Sequence, residues 1–149
     1  MKPVRYFLPI IIFIFAISCA SSPKNCKEGD CKNGIGTSAH DNGTYNGSFK
    51  NSIREGMGEY NFTNGDRYRG NYSNNMRNGQ GEYYWKNGDS YKGNWIDGKR
   101  NGFGIYTWAD GTRYEGEWKD DNRHGKGKLI LNDGTTFDGT WENDLFIRK

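Results

Sequence analysis

From Gly43 onward, glycines and aromatic rings fall on alternate positions of the chain with polar residues between them. In Gly56-Met57-Gly58-Glu59-Tyr60-Asn61-Phe62-Thr63, one face collects Gly, Gly, Tyr and Phe, and the other Met, Glu, Asn and Thr. In Arg67 to Ser73, Tyr68, Gly70 and Tyr72 share a face, while Arg67, Arg69, Asn71 and Ser73 share the opposite one. Such period-two alternation belongs to a strand with one covered and one solvated face. Asn64-Gly65 separates these stretches, and the same kind of dipeptide returns at Asn42-Gly43, Asn87-Gly88, Asp110-Gly111 and Asp133-Gly134. Each predicts a two-residue type I′ hairpin turn, where both central residues need positive φ. The pattern therefore predicts an all-β chain of about five hairpins, or about ten antiparallel strands. No segment after Cys19 has helical periodicity, and no proline after Pro23 interrupts the strands.

The hairpins repeat. Tyr45, Tyr68, Tyr91, Tyr114 and Phe137 stand 23 residues apart. Two residues after each comes a glycine (Gly47, Gly70, Gly93, Gly116, Gly139), and two further on another ring (Phe49, Tyr72, Trp95, Trp118, Trp141). Paired glycines follow at Gly56/Gly58, Gly79/Gly81, Gly102/Gly104 and Gly125/Gly127. One such hairpin is too small to be stable alone, so stacking of neighbours must hold the array together. At roughly 4.8 Å per strand the single-layer sheet would be about 45 Å long and twisted. The glycine between each pair of rings predicts a notch for a ring from the neighbouring hairpin. The ends differ. Gly34, Gly36 and Gly43 begin a unit one residue short, whose face carries Thr37, Ala39 and Asp41 in place of rings. The last unit runs into Leu145-Phe146-Ile147 where paired glycines are due. Both ends read as caps, or else the C-terminal edge pairs with a second copy.

Composition sharpens this. Hydrophobic residues are 33% of the chain and aromatics 15%, with 22 glycines, which rules out a thick aliphatic core and suits a ring-faced sheet. The net charge of +3 includes Lys2 and Arg5; without them 19 basic residues face 18 acidic ones, so nothing general attracts nucleic acid. Those two precede Tyr6 to Ile17, an uncharged and almost wholly apolar run that is too short to span a membrane and reads as a secretory signal. Ala16-Ile17-Ser18-Cys19 resembles the bacterial lipobox, whose cleavage exposes a cysteine that takes up diacylglycerol. That resemblance implies acylation of Cys19; an ordinary secretory signal with a coincidental cysteine is the other reading. The chain divides into a signal peptide (1–18), a tether (19–25) and a repeat domain (26–149). Its expected place is the bacterial envelope, anchored by lipid and facing periplasm or cell surface.

In an exported chain Cys26 and Cys31 are free to form a disulfide, and Gly29 between them allows the bend. A metal site from Cys26, Cys31 and His40 would lack a fourth ligand and the usual paired spacing. The two histidines, His40 and His124, lie apart in the pattern, and no nucleophile–base set accompanies either. No catalysis, no cofactor and no small-molecule substrate is expected.

Taken together, the unit Y-x-G-x-W-x6-G-x-G followed by a turn is similar to the MORN (membrane occupation and recognition nexus) repeat. Units opening at Tyr45, Tyr68, Tyr91 and Tyr114 carry the resemblance, with a partial fifth at Phe137. Cys26 to Gly36 is similar to the leading segment of bacterial members. The resemblance implies a non-catalytic binding module, since catalysis in the family's enzymes lies in separate domains. The loop glycine of the family pattern survives here only as Gly98, with Ser52, Asn75, Asp121 and Asp144 in its place. Asn and Asp tolerate positive φ; Ser does so less well.

One column offers binding chemistry. Arg54, Arg77, Arg100 and Arg123 recur in the connecting loops, about 10 Å apart if two strands separate them. The loops 50–56, 73–79, 96–102 and 119–125 together carry +3, and the opposite turns −2. Either the arginines form a row for anionic headgroups or an acidic partner, or they cap loop carbonyls and cover rings with their stems. The rings Tyr60, Phe62, Tyr83, Trp85, Tyr106 and Trp108 read as core, with the alternative that a single-layer sheet leaves them free to stack on envelope glycans. The expected partners are a membrane through Cys19 and a protein, or a second copy, through the sheet.

Overall fold

A computed structural model describes residues 25–147, and these form one 12-stranded antiparallel sheet with strands in chain order. The strands are β1 Cys26–Gly29, β2 Ile35–His40, β3 Gly43–Lys50, β4 Ile53–Phe62, β5 Arg67–Ser73 and β6 Met76–Tyr84. They continue as β7 Ser90–Ile96, β8 Lys99–Thr107, β9 Arg113–Lys119, β10 Asn122–Ile130, β11 Thr136–Glu142 and β12 Leu145–Ile147. Each strand pairs only with its chain neighbours. No helix occurs among the described residues.

The two kinds of connection exchange the roles expected of them. At Asn64-Gly65 only Gly65 has positive φ (96°). The Phe62 amide donates to the Asp66 carbonyl and the Gly65 amide to the Phe62 carbonyl, which closes a three-residue loop ending in a glycine bulge. The Asn64 side chain accepts from the Asp66 amide at 2.9 Å and holds Asn64 out of the left-handed region. Asn87-Gly88, Asp110-Gly111 and Asp133-Gly134 behave alike, and Gly43 is already the first residue of β3. The two-residue turns with both φ positive lie at the other edge: Asn51-Ser52, Asn74-Asn75, Asp97-Gly98, Asp120-Asp121 and Asn143-Asp144. Ser52 sits there at φ 64°, an exception to its usual preference.

Across the sheet, cross-strand registry lines up a tyrosine row and, beside it, a glycine row that runs from Gly36 on β2 to Gly139 on β11. The notch over Gly47, Gly70, Gly93 and Gly116 is filled by the tyrosine two residues earlier on the same strand, and not by a ring from the neighbouring hairpin as the sequence suggests. That tyrosine also covers the facing glycine of the next strand. A Cβ on Gly81 would stand 2.2 Å from the hydroxyl oxygen of Tyr68, and one on Gly104 as close to that of Tyr91. The tyrosine reclines along its strand because its hydroxyl can then donate to the carbonyl three residues on; Tyr68 reaches Asn71 O at 3.0 Å. Tyr45, Tyr91 and Tyr114 do the same with Ser48, Asn94 and Glu117. Trp95 and Trp118 then stand edge-on between successive tyrosines and Trp141 edge-on against Tyr114, with interplanar angles of 82–89°. Their Nε1 atoms donate to the carbonyls of Gly81, Gly104 and Gly127. Each edge-to-face pair adds about 0.5–1.5 kcal/mol beyond burial. Tyr45, Tyr68 and Tyr114 are fully buried in a sheet with no second layer.

The ends are closed differently. The shortened first unit slips the phase by one residue, so Gly36 and Ser38 face the rings, while Thr37 turns outward to bond Asn46. This corrects the expected Thr37, Ala39 and Asp41 face. Cys26 and Cys31 are joined by a disulfide, with their Cα atoms 5.8 Å apart and Cys31 packed into the core against Gly36. At the other end β12 lays Phe146 opposite Trp141, where inner units have an arginine, with ring centroids 5.1 Å apart. Leu145 and Ile147 stay exposed.

Candidate binding groove

The four arginines open their strands rather than lie in loops, at the second residue of β4, β6, β8 and β10. There registry sets Arg77, Arg100 and Arg123 opposite Tyr72, Trp95 and Trp118. Each guanidinium turns onto the ring face. Arg77, Arg100 and Arg123 lie 4.2–4.4 Å from the centroids of Trp95, Trp118 and Trp141, and Arg54 lies 5.3 Å from that of Tyr72. Each Nη2 donates to a carbonyl of the next two-residue turn: Asn75, Gly98, Asp121 or Asp144. The arginines therefore do what a second layer would do, covering rings and satisfying turn carbonyls.

Their surroundings are not equivalent. Arg100 and Arg123 also pair through Nε with the carboxylates of Asp121 and Asp144, at 3.1 and 3.0 Å. Arg54 meets the neutral amide oxygen of Asn75, and Arg77 meets no side chain of Gly98. Burial presses the Arg77 pKa down, with nearby tyrosines and then Asp121 acting the other way. It stays a cation, as guanidinium does in proteins.

Beside Arg54 and Arg77 the ring face sinks into a groove, bordered by Phe62 of an outer ring row that continues as the partly buried Trp85 and Trp108. It holds an open cavity of about 360 Å³ between Arg54 and Arg77, walled by Tyr60, Phe62 and Tyr83, with Met76 at the lip. His40 and Asn42 close its N-terminal end. Burial, and then Arg54, push the His40 pKa below its usual value, so the ring is neutral at pH 7; Asp41 opposes this. Its Nε2 lies 2.9 Å from the buried Ser38 hydroxyl. His124 is on β10, eight strands away along the sheet. Burial raises the pKa of the buried tyrosines, to about 12 for Tyr45 and Tyr114, whereas the exposed Tyr84 is raised first by its hydrogen bond to Glu82.

The broad faces of the buried inner rings are thus taken up by arginines, glycines and one another, while the outer row (Phe62, Trp85, Trp108) is partly open, as are Tyr106 and, at the C-terminal end, Phe146. Two carboxylates that sequence reasoning passed over tie the three-residue turns to the ring face. Asp66 and Asp89 accept the hydroxyls of Tyr83 and Tyr106, at 2.8 and 2.7 Å, and the amides of Lys86 and Ala109. Their recurrence just after Asn64-Gly65 and Asn87-Gly88 was the available signal. Among the described residues no three His, Cys, Asp or Glu groups are set to hold a metal. Cys19 lies outside the described residues, as do the signal peptide and nearly all of the tether.

The family model for the MORN repeat matches residues 45–67, 68–90, 91–113 and 114–136 in tandem. No match to a curated protein was found.

Proposed function

Since the chain belongs to the MORN-repeat family, we propose that it is a non-catalytic scaffold that binds a protein partner in the groove along its ring face. The observation that carries this is the division of labour on that face. The inner rings are consumed by the sheet's own packing, while Phe62, Trp85 and Trp108 and the cavity beside Arg54 and Arg77 remain open to a segment from outside. A partly apolar groove with a few placed polar groups is the ordinary form of a peptide or ligand site. Cys19, acylated after removal of residues 1–18, tethers the domain to an envelope membrane, since several acyl chains hold firmly where one does not.

Two measurements test the reading. Photo-crosslinking residues placed at Phe62 or Trp108 should capture one protein in cells, and the same residues at the outward-facing Met57 or Phe103 should not. Equal capture from both faces, or none from the groove, would overturn it. Cys19→Ser should abolish labelling by radioactive palmitate; unchanged labelling would remove the anchor from the proposal.

A further inference from the structure

We propose that the cavity between Arg54 and Arg77 is a carboxylate-binding site for an acidic, extended segment of the partner, an inference that rests on the scaffold reading above. Four arginines share one column, yet only two are neutralised. Asp121 and Asp144 hold Arg100 and Arg123 through carboxylates, whereas the equivalent residues beside Arg54 and Arg77 are Asn75 and Gly98. Among the described residues neither Arg54 nor Arg77 forms an ion pair. The two uncompensated cations are also the two that line the cavity. A charge set among rings and short of a counter-ion is costly, and a ligand that supplies the counter-charge recovers that cost.

The donors fit a carboxylate. The hydrogen bonds of both guanidiniums run through Nη2, with Nε in addition on Arg54, and Nη1 of each makes none among the described residues. Guanidinium N–H pairs match carboxylate oxygens in plane. Two arginines two strands apart stand about 10 Å from one another, a distance an extended chain covers in about three residues. Phe62, Tyr83 and Met76 offer an apolar neighbour to the acid, which fits a segment mixing glutamate with an aromatic residue. A bilayer suits this site less well. Its headgroups present a broad surface, and these guanidiniums lie within a groove, folded down onto Tyr72 and Trp95.

The turn supplies a test that leaves the arginines alone. Gly98 has φ 83°, close to the 72° and 69° at which Asp121 and Asp144 already sit, and a Cβ there meets only Arg77 Nη2, at 3.8 Å. Gly98→Asp should give Arg77 the partner its successors have; Gly98→Asn adds the same bulk without charge. The intact protein in non-ionic detergent is titrated with a fluorescein-labelled Glu-Phe-Glu-Glu-Phe-Glu peptide and with its Gln-for-Glu counterpart. The acidic peptide should bind and the Gln peptide should not. Gly98→Asp should weaken binding about tenfold or more, while Gly98→Asn leaves it nearly unchanged. Equal binding of both peptides, or wild-type affinity in Gly98→Asp, overturns the proposal. Vesicles of phosphatidylglycerol that displace the peptide, and bind wild type but not Gly98→Asp, would reassign the site to headgroup phosphate and overturn it too. Groove crosslinks that persist unchanged in Gly98→Asp would sink this site while leaving the scaffold standing; their absence from wild type would sink the scaffold itself.

Discussion

Replacing Gly81 by alanine isolates the packing on which the sheet depends. Gly81 is not among the residues with positive φ, so alanine brings no backbone strain. Its whole cost is steric: the new Cβ would lie 2.2 Å from the Tyr68 hydroxyl oxygen and 2.6 Å from Cζ. The ring cannot slide aside freely. Tyr68 is fully buried, its hydroxyl is bonded to Asn71 O, and Tyr72 and Trp95 stand edge-on against it. Overpacking of this kind costs about 1–3 kcal/mol, and a displaced hydroxyl about 1 kcal/mol more. The sum, about 2–4 kcal/mol, corresponds to a fall in melting temperature of roughly 8–16 °C for a domain of this size. Gly111→Ala is the matched control. It has φ 89° but nothing within 4 Å of the new Cβ, so it should lose only about 1 kcal/mol of conformational strain. In a Tyr68→Ala background the clash is gone, and Gly81→Ala should become nearly neutral. Thermal unfolding followed by circular dichroism reads wild type, the three single variants and the double variant. A Gly81→Ala variant as stable as Gly111→Ala, or one equally damaging with and without Tyr68, would refute the account of the glycine row.

Other expectations follow from the same geometry. Arg100→Ala should cost about 2–4 kcal/mol in a thermal melt, because it uncovers Trp118 and strands the Asp121 carbonyl, and Arg100→Lys should recover little of it. A neutral Arg100→Ala would show that the arginines cover nothing of value. The buried tyrosines should make the fold fail in alkali. Folded-state pKa values near 12 for Tyr45 and Tyr114, against 10.0 unfolded, mean that the folded state keeps protons the unfolded chain gives up. That contribution is complete below pH 10 and is lost as pH climbs toward 12. Phenolate absorbance should therefore rise together with loss of the β signal, and phenolates titrating freely near pH 10 with the sheet intact would contradict this. Reduction of Cys26–Cys31 should loosen the N-terminal cap by roughly 2 kcal/mol, seen as faster amide exchange confined to β1 and β2. Unchanged exchange there would show that the crosslink is not what holds the cap.

The strands, their faces and their order were legible because period-two alternation and a fixed repeat admit few readings. Turn chemistry was legible only in part. Asn-Gly predicts two positive φ angles from composition alone, but the Asn64 side chain accepts from the Asp66 amide and leaves only Gly65 in the left-handed region. The first unit was misread by one phase because a missing residue flips every later side chain, and no ring was there to mark the face. The arginine column was visible but its direction was not. Sequence spacing puts Arg77 at an edge, and only the register opposite Tyr72, with Trp95 one strand on, turns it inward. The turn column Ser52, Asn75, Gly98, Asp121 and Asp144 was read for tolerance of positive φ. Its bearing on charge needed the contact between each arginine and the following turn.

That contact limits how such a groove can be tuned. The second turn residue must hold φ near 64–83°, a region that glycine, asparagine and aspartate enter at least cost. Of these only aspartate is charged, and it is negative. Each repeat can therefore present its arginine either bare or neutralised, and the backbone discourages the other side chains that would change the balance. The arginine itself is less free to vary, because it also lids a ring and satisfies a carbonyl. In the proposed site, selectivity for charge would then reside in the turn, at a residue whose exchange disturbs no ring. Asn75 and Gly98 leave the N-terminal half of the groove cationic, and Asp121 and Asp144 quench the remainder. A partner reading charge along the groove meets a step between Arg77 and Arg100, which gives the bound segment a direction as well as a place.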